Sequence, residues 1–93
     1  MNKQAIVSEI TNLQLQHIGI AYKRNEDESL RIVSKRYTQE ASAKHAVSYH
    51  RFLQNAYRTY IYNFTTGKLL QLQREEVVGK YPAYVNRWIE VSE

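Results

Sequence analysis

Residues 57–64 (YRTYIYNF) set three aromatic rings, Tyr60, Tyr62 and Phe64, at every second position. A second alternation, 68–73 (KLLQLQ), follows after Thr65-Thr66-Gly67. Side chains two apart share one face of a strand. Two such runs around a Gly-containing turn predict a β-hairpin. That hairpin constrains everything else, because its aromatic face must be either buried or offered to a ligand. A chain of 93 residues has room for one domain, 1–93, in which to do this.

The turn decides between the two fates. A three-residue loop closing on a left-handed Gly67 pairs Phe64 with Lys68, Tyr62 with Leu70 and Tyr60 with Leu72. The rings then share a face with Leu70 and Leu72, which is core packed under a helix. The opposite face would hold Thr59, Ile61, Asn63, Leu69, Gln71 and Gln73 and tolerate water. A two-residue Thr66-Gly67 loop instead groups the rings with Leu69, Gln71 and Gln73. An exposed row of that kind is a platform for stacking bases. The Gly position favours the core.

Periodicity supplies the remaining elements. Ile6, Ile10 and Leu13 fall on one face of a helix over 2–14. Residues 15–24 alternate as a strand, 25–29 (NEDES) read as a turn, and 30–37 (LRIVSKRY) read as the return strand. Thr38 is the expected N-cap of a helix over 39–56. Its apolar face would gather Ala41, His45, Ala46, Tyr49, Phe52, Leu53 and Ala56. In the tail, 74–78 read as a helical turn ended by Gly79, Pro82 excludes a central strand, and 84–91 suit a short helix or an edge strand. The expected fold is α+β, in the order α-β-β-α-β-β plus the tail. Two hairpins form one antiparallel sheet with the helices on one face.

Charge is where function enters. From Arg31 to Arg74 there are eight Lys or Arg and one acid, Glu40, in a chain whose formal net charge is +4. Five of the eight tyrosines and both phenylalanines lie in the same stretch. Cations for phosphates and rings for bases are the makings of a nucleic-acid surface. On the helix, Lys44 and Arg51 lie along one side, and one more turn would add Arg58. Such a row follows a phosphate backbone, with Ser48 and Asn55 as neutral donors, or is simply a solvated helix face. A lack of counter-charge favours the first reading. Lys35 and Arg36 end the second strand and add a basic corner. The acidic loop at Glu26, Asp27 and Glu28 would repel nucleic acid from its tip.

Chemistry is sparse. There is no cysteine, which excludes a disulfide framework, a thiolate zinc site and a catalytic thiol and suits the cytoplasm. His45 reads as a core histidine, and His50 lies on the other side of its helix. No metalloprotease motif, phosphate loop or nucleophile elbow is present, so neither an enzyme nor a cofactor is expected. No apolar run is long enough to span a membrane, and the N-terminus lacks a signal-peptide pattern. Tyr60-Ile61, a hairpin and Leu70-Gln71-Leu72-Gln73-Arg74 resemble the end of a WYL regulatory domain. The Trp-Tyr-Leu triplet is lacking, and no residue role follows from the likeness.

These readings converge on a small accessory or regulatory nucleic-acid-binding protein, DNA or RNA, with Lys35, Arg36, Lys44, Arg51 and Arg58 at the contact. The alternative is a protein-interaction module, an inhibitor or adaptor for an acidic partner, with Trp88, Tyr81 and Tyr84 as anchors where the tail is exposed, or a homodimer through an edge strand; a structural subunit of a larger complex fits the same features.

Overall fold

The centre of the molecule is a strand with no polar face. In the computed structural model, which describes residues 2–11, 17–79 and 83–92, β1 (Ile18–Lys23) buries four consecutive residues, Ile18 to Ala21. A strand buried on both sides needs a layer above and a layer below. On one edge it pairs with β2 (Arg31–Tyr37), on the other with β3 (Arg58–Asn63). Beyond β3 come β4 (Lys68–Val77) and β5 (Ala83–Glu90). All pairings are antiparallel, and the order across the sheet is β2-β1-β3-β4-β5.

The two layers are helical and lie on opposite faces. Helix α1 (Lys3–Thr11) buries Ile6 and Ile10 against Ala21, Tyr60, Tyr62 and Leu69. Asn2 caps it, its side-chain oxygen accepting the Ala5 N–H at 2.8 Å. Helices α2 (Glu40–Tyr49) and α3 (Arg51–Gln54) bury Ala43, Val47 and Leu53 against Ile18, Ile20, Ile61 and Leu70. Neighbouring strand residues such as Tyr60 and Ile61 thus serve different layers. This corrects the expectation that the helices share one face. Thr59 and Ile61, assigned to a face that tolerates water, are both buried.

The predicted helix over 39–56 is broken. His50 takes an extended backbone (φ −111°, ψ 104°) between α2 and α3. The N-cap is Gln39, which makes no side-chain cap bond, rather than Thr38. The buried face also differs from the expected one. Small residues, Ala43 and Val47, let α2 lie close to the sheet, while Ala41, His45, Tyr49 and Phe52 stay exposed. Phe52 instead meets the edge of Tyr22, with ring centroids 5.5 Å apart.

The aromatic row is core: Tyr60 and Tyr62 are only 3% and 9% exposed. The register that leads there is not the expected one. Asn63 pairs with Lys68, which leaves a four-residue loop from Phe64 to Gly67, and Tyr62 faces Leu69. Asn63 builds this loop. Its side-chain oxygen accepts the N–H groups of Thr65 (2.9 Å) and Thr66 (3.3 Å), and its carbonyl accepts that of Gly67 (2.8 Å). Gly67 has the positive φ of 73° that the turn requires. Four residues keep the same facing as two, so the rings sit with Leu69 under α1, not with Leu70 and Leu72 under α2. Burial pushes the Tyr60 phenol up from its ordinary pKa, so it stays neutral at physiological pH.

The tail is strand, not helix. Residues 74–77 continue β4, and β5 is the edge strand, in register from Leu70↔Glu90 to Val77↔Ala83. The β3–β4 pairing ends at Gln71, so β4 and β5 run on as a two-stranded arm. Its cross-strand contacts explain why extension wins. Trp88 packs with Leu72, Arg87 pairs with Glu75 at 3.2 Å, and Arg74 covers the Tyr84 ring. Tyr81 and Pro82 lie outside the described residues.

One buried polar contact fastens α3 to the sheet. The Thr59 hydroxyl donates to the Leu53 carbonyl, and Thr59 is buried. Thr59→Val keeps the shape and removes the donor, leaving a buried carbonyl unpaired. It should cost about 1–3 kcal/mol, read as a lower urea midpoint at unchanged m-value.

Candidate functional site

The break at His50 creates the site. Beyond it, α3 turns its polar side chains toward the arm. Ser48 and Tyr49 at the end of α2, Arg51 and Gln54 of α3, and Asn55 just after it form one wall. Arg74 of β4 and Tyr84 of β5 form the other, across an open cleft of about 600 Å³.

Short-range bonds hold both walls. The Gln54 side-chain amide donates to the carbonyls of Ser48 (2.6 Å) and Val47 (3.3 Å), which secures the corner between the two helices. Arg74 bridges the walls. Its guanidinium donates to the Asn55 side-chain oxygen at 2.9 Å and lies 4.2 Å from the Tyr84 ring centroid. Tyr49 is 74% exposed and Tyr84 57%. Among the described residues, no carboxylate lines the cleft.

A second cavity of about 580 Å³ continues from the first and shares Gln54 and Arg74 with it. Tyr57 and Arg58 stand on its wall. The Arg58 guanidinium sits 4.3 Å over the Tyr57 ring and donates to the Tyr57 carbonyl at 2.8 Å. Among the described residues, no carboxylate stands within ion-pair distance of Arg51, Arg58 or Arg74.

The cations expected to form one row are dispersed. Arg51 lies in the cleft and Arg58 in the adjoining cavity, but Arg58 is on β3, not on a continued helix. Lys44 is half-buried and pairs with Glu40 at 3.9 Å, so the counter-charge thought missing is one turn away. Lys35 and Arg36 belong to β2, at the opposite edge of the sheet from the arm, and their side chains lie outside the described ones. In the acidic loop, Glu28 is drawn into pairs with Arg24 and Arg31, each at 3.8 Å.

Three of the lining residues are not singled out as contacts by the sequence: Tyr49, Gln54 and Arg74. The helical spacing places Tyr49 in the core with Ala41 and His45, but α2 buries its Ala43 and Val47 face instead. Arg74 and Tyr84 meet only through the β4–β5 register, which the tail's mixed pattern concealed. His45 is exposed and meets Tyr49 edge-on, centroids 4.7 Å apart, rather than lying in the core. Among the described residues, no three His, Asp or Glu side chains gather to hold a metal ion. No helix there is long and apolar enough to cross a membrane. No family model, curated protein or solved structure matches the chain, and the WYL likeness is carried no further.

Proposed function

We propose that this protein is a non-enzymatic nucleic-acid-binding protein that takes a single-stranded segment into the cleft between the α2–α3 corner and the β4–β5 arm. The observation that carries the reading is the lining: Arg51 and Arg74 with exposed Tyr49 and Tyr84, and no acid among the described residues. The guanidinium groups suit phosphates, and the rings suit unstacked bases. Gln54, Asn55 and Ser48 add neutral donors and acceptors at the same surface. A duplex hides its base faces, so exposed rings in a cleft, Tyr84 with one face under Arg74 and Tyr49 with His45 at its edge, favour a single strand. Arg58 offers a third guanidinium in the neighbouring cavity, whose far wall carries Glu90.

Fluorescence anisotropy with labelled single-stranded RNA, single-stranded DNA and duplex tests this. Three phosphate contacts predict a slope of log K against log salt near about −2 for a single strand. Tyr49→Leu and Tyr84→Leu should each cost about 1–3 kcal/mol of single-strand affinity. Absence of binding to all three probes at low salt would sink the reading. Equal affinity for duplex and single strand, unchanged by either Tyr substitution, would remove stacking from it. An acidic protein partner is the second reading, because the same unpaired guanidinium groups also suit a carboxylate-rich surface. In that case the Arg51 dependence would appear with the protein partner and not with the oligonucleotides.

A further inference from the structure

The arm ends the sheet on a strand whose outer edge meets nothing among the described residues. We propose that this edge pairs with the same edge of a second copy, continuing the sheet through an antiparallel β5–β5 contact centred on Asn86. The inference is independent of the nucleic-acid reading.

The hydrogen-bonding phase of β5 supports it. Val91 N–H donates to the Leu69 carbonyl at 2.8 Å, toward β4. Along an antiparallel ladder, alternate residues direct their N–H and C=O groups to opposite sides. Tyr84, Asn86 and Trp88 therefore present theirs outward, as a free template. The two edges of the sheet are not equivalent. β2 carries a register shift opposite Ile18 to Ile20 and a Lys35-Arg36 pair, the devices that discourage edge pairing. β5 runs from Ala83 to Glu90 without a shift.

Charge selects the register. Across a twofold axis, residues directly opposite must share a face, so the axis passes through one residue. Centring on Arg87 would set two arginines face to face. Centring on Asn86 sets the two Asn86 opposite each other, Tyr84 opposite the partner's Trp88, Val85 opposite the partner's Arg87 and Ala83 opposite the partner's Ile89. Aromatic and apolar–stem pairs of this kind stabilise a sheet. Centring on Trp88 also avoids like charges, but it engages a shorter run of the strand. The Asn86 register would cover Val85 and Ile89, each nearly half-exposed in the single chain.

Sedimentation of the full chain over a wide concentration range gives the first test. A monomer–dimer equilibrium is expected. Asn86→Pro removes an outward N–H on an edge strand that can take proline's fixed φ, and should shift the chain to monomer while far-UV circular dichroism stays unchanged. The chain lacks cysteine, so single-cysteine variants report the register without disrupting the strand. Asn86→Cys should oxidise to a covalent dimer, since facing Cα atoms about 5.5 Å apart can be bridged. Tyr84→Cys should not, because its two copies stand four residues out of line. A wild-type chain that stays monomeric at every concentration overturns the proposal and leaves the edge to a different partner. So does a dimer that survives in folded Asn86→Pro, or one that Tyr84→Cys cross-links as well as Asn86→Cys.

Discussion

Reversing both cleft arginines together, Arg51→Glu with Arg74→Glu, is expected to weaken single-strand binding by at least a few hundred-fold. A charge-assisted hydrogen bond contributes about 1.5–3 kcal/mol. Two of them lost amount to about 3–6 kcal/mol, and each 1.4 kcal/mol is tenfold. Repulsion of phosphate by the new carboxylates adds to the loss. The fold should survive. Both side chains lie on the surface, and what Arg74 gives up is its exposed bond to Asn55 and its place over Tyr84, together on the order of 2 kcal/mol at a solvated site. Lys44→Gln is the matched control, since Glu40 already offsets Lys44. It should leave affinity within about twofold. Anisotropy titrations at one fixed salt concentration, beside thermal melts of each variant, make the comparison. A double variant that binds like wild type places the contact elsewhere. A Lys44→Gln loss as large as the double variant's returns it to the helix row.

The largest effect on stability is expected at Ile61. It is fully buried near the middle of the sheet, on the face covered by α2 and α3, and pairs with Ile20 on one side and Leu70 on the other. Ile61→Ala removes buried methyl groups and leaves a cavity that neighbouring strands cannot collapse to fill. The cost should be about 2–5 kcal/mol. Domains of this size commonly hold about 5–10 kcal/mol in total, and each kcal/mol lowers Tm by roughly 4–8 °C. A fall of at least about 10 °C in a calorimetric or circular-dichroism melt is therefore expected. A shift of only one or two degrees would mean that Ile61 is not packed between two strands and a helix layer.

The two sites differ in how far the sequence announced them. The first hairpin, the β3–β4 hairpin and α1 were legible because their side chains repeat with periods of two and of about three and a half. Residues 18–21 and 59–62 also carried the information that the sheet is covered on both sides, since neither run offers a polar face. That information was overridden by reading Tyr60, Tyr62 and Phe64 as the only buried row. The fourth loop residue was concealed in Asn63, whose side chain replaces backbone partners and draws Phe64 into the turn without a further Gly or Pro to mark it. The His50 break was less accessible still. No Pro or Gly stands there, and the corner is held by Gln54 reaching back to Val47 and Ser48, a contact that exists only after the break has formed. Arg51 was found by charge alone. Arg74 and Tyr84 belong to a pairing between strands whose alternation is diluted by Gln73, Glu75, Glu76, Asn86 and Arg87.

The order of the strands also sets the order in which the molecule can assemble. The cleft's lining falls between Ser48 and Tyr84, and its walls meet where Arg74 reaches Asn55, 19 residues back along the chain, a closure that costs less entropy than a longer one. The joint between β1 and β3, in contrast, brings Ile18 to Asn63 and must wait for the α2–α3 crossover. Non-local pairing of this kind slows folding. A chain caught before that step would hold the cationic lining without the Ile18 and Ile20 support beneath Leu53. The walls are therefore expected early on the folding route, and the rigid spacing between them only with its last long-range contact.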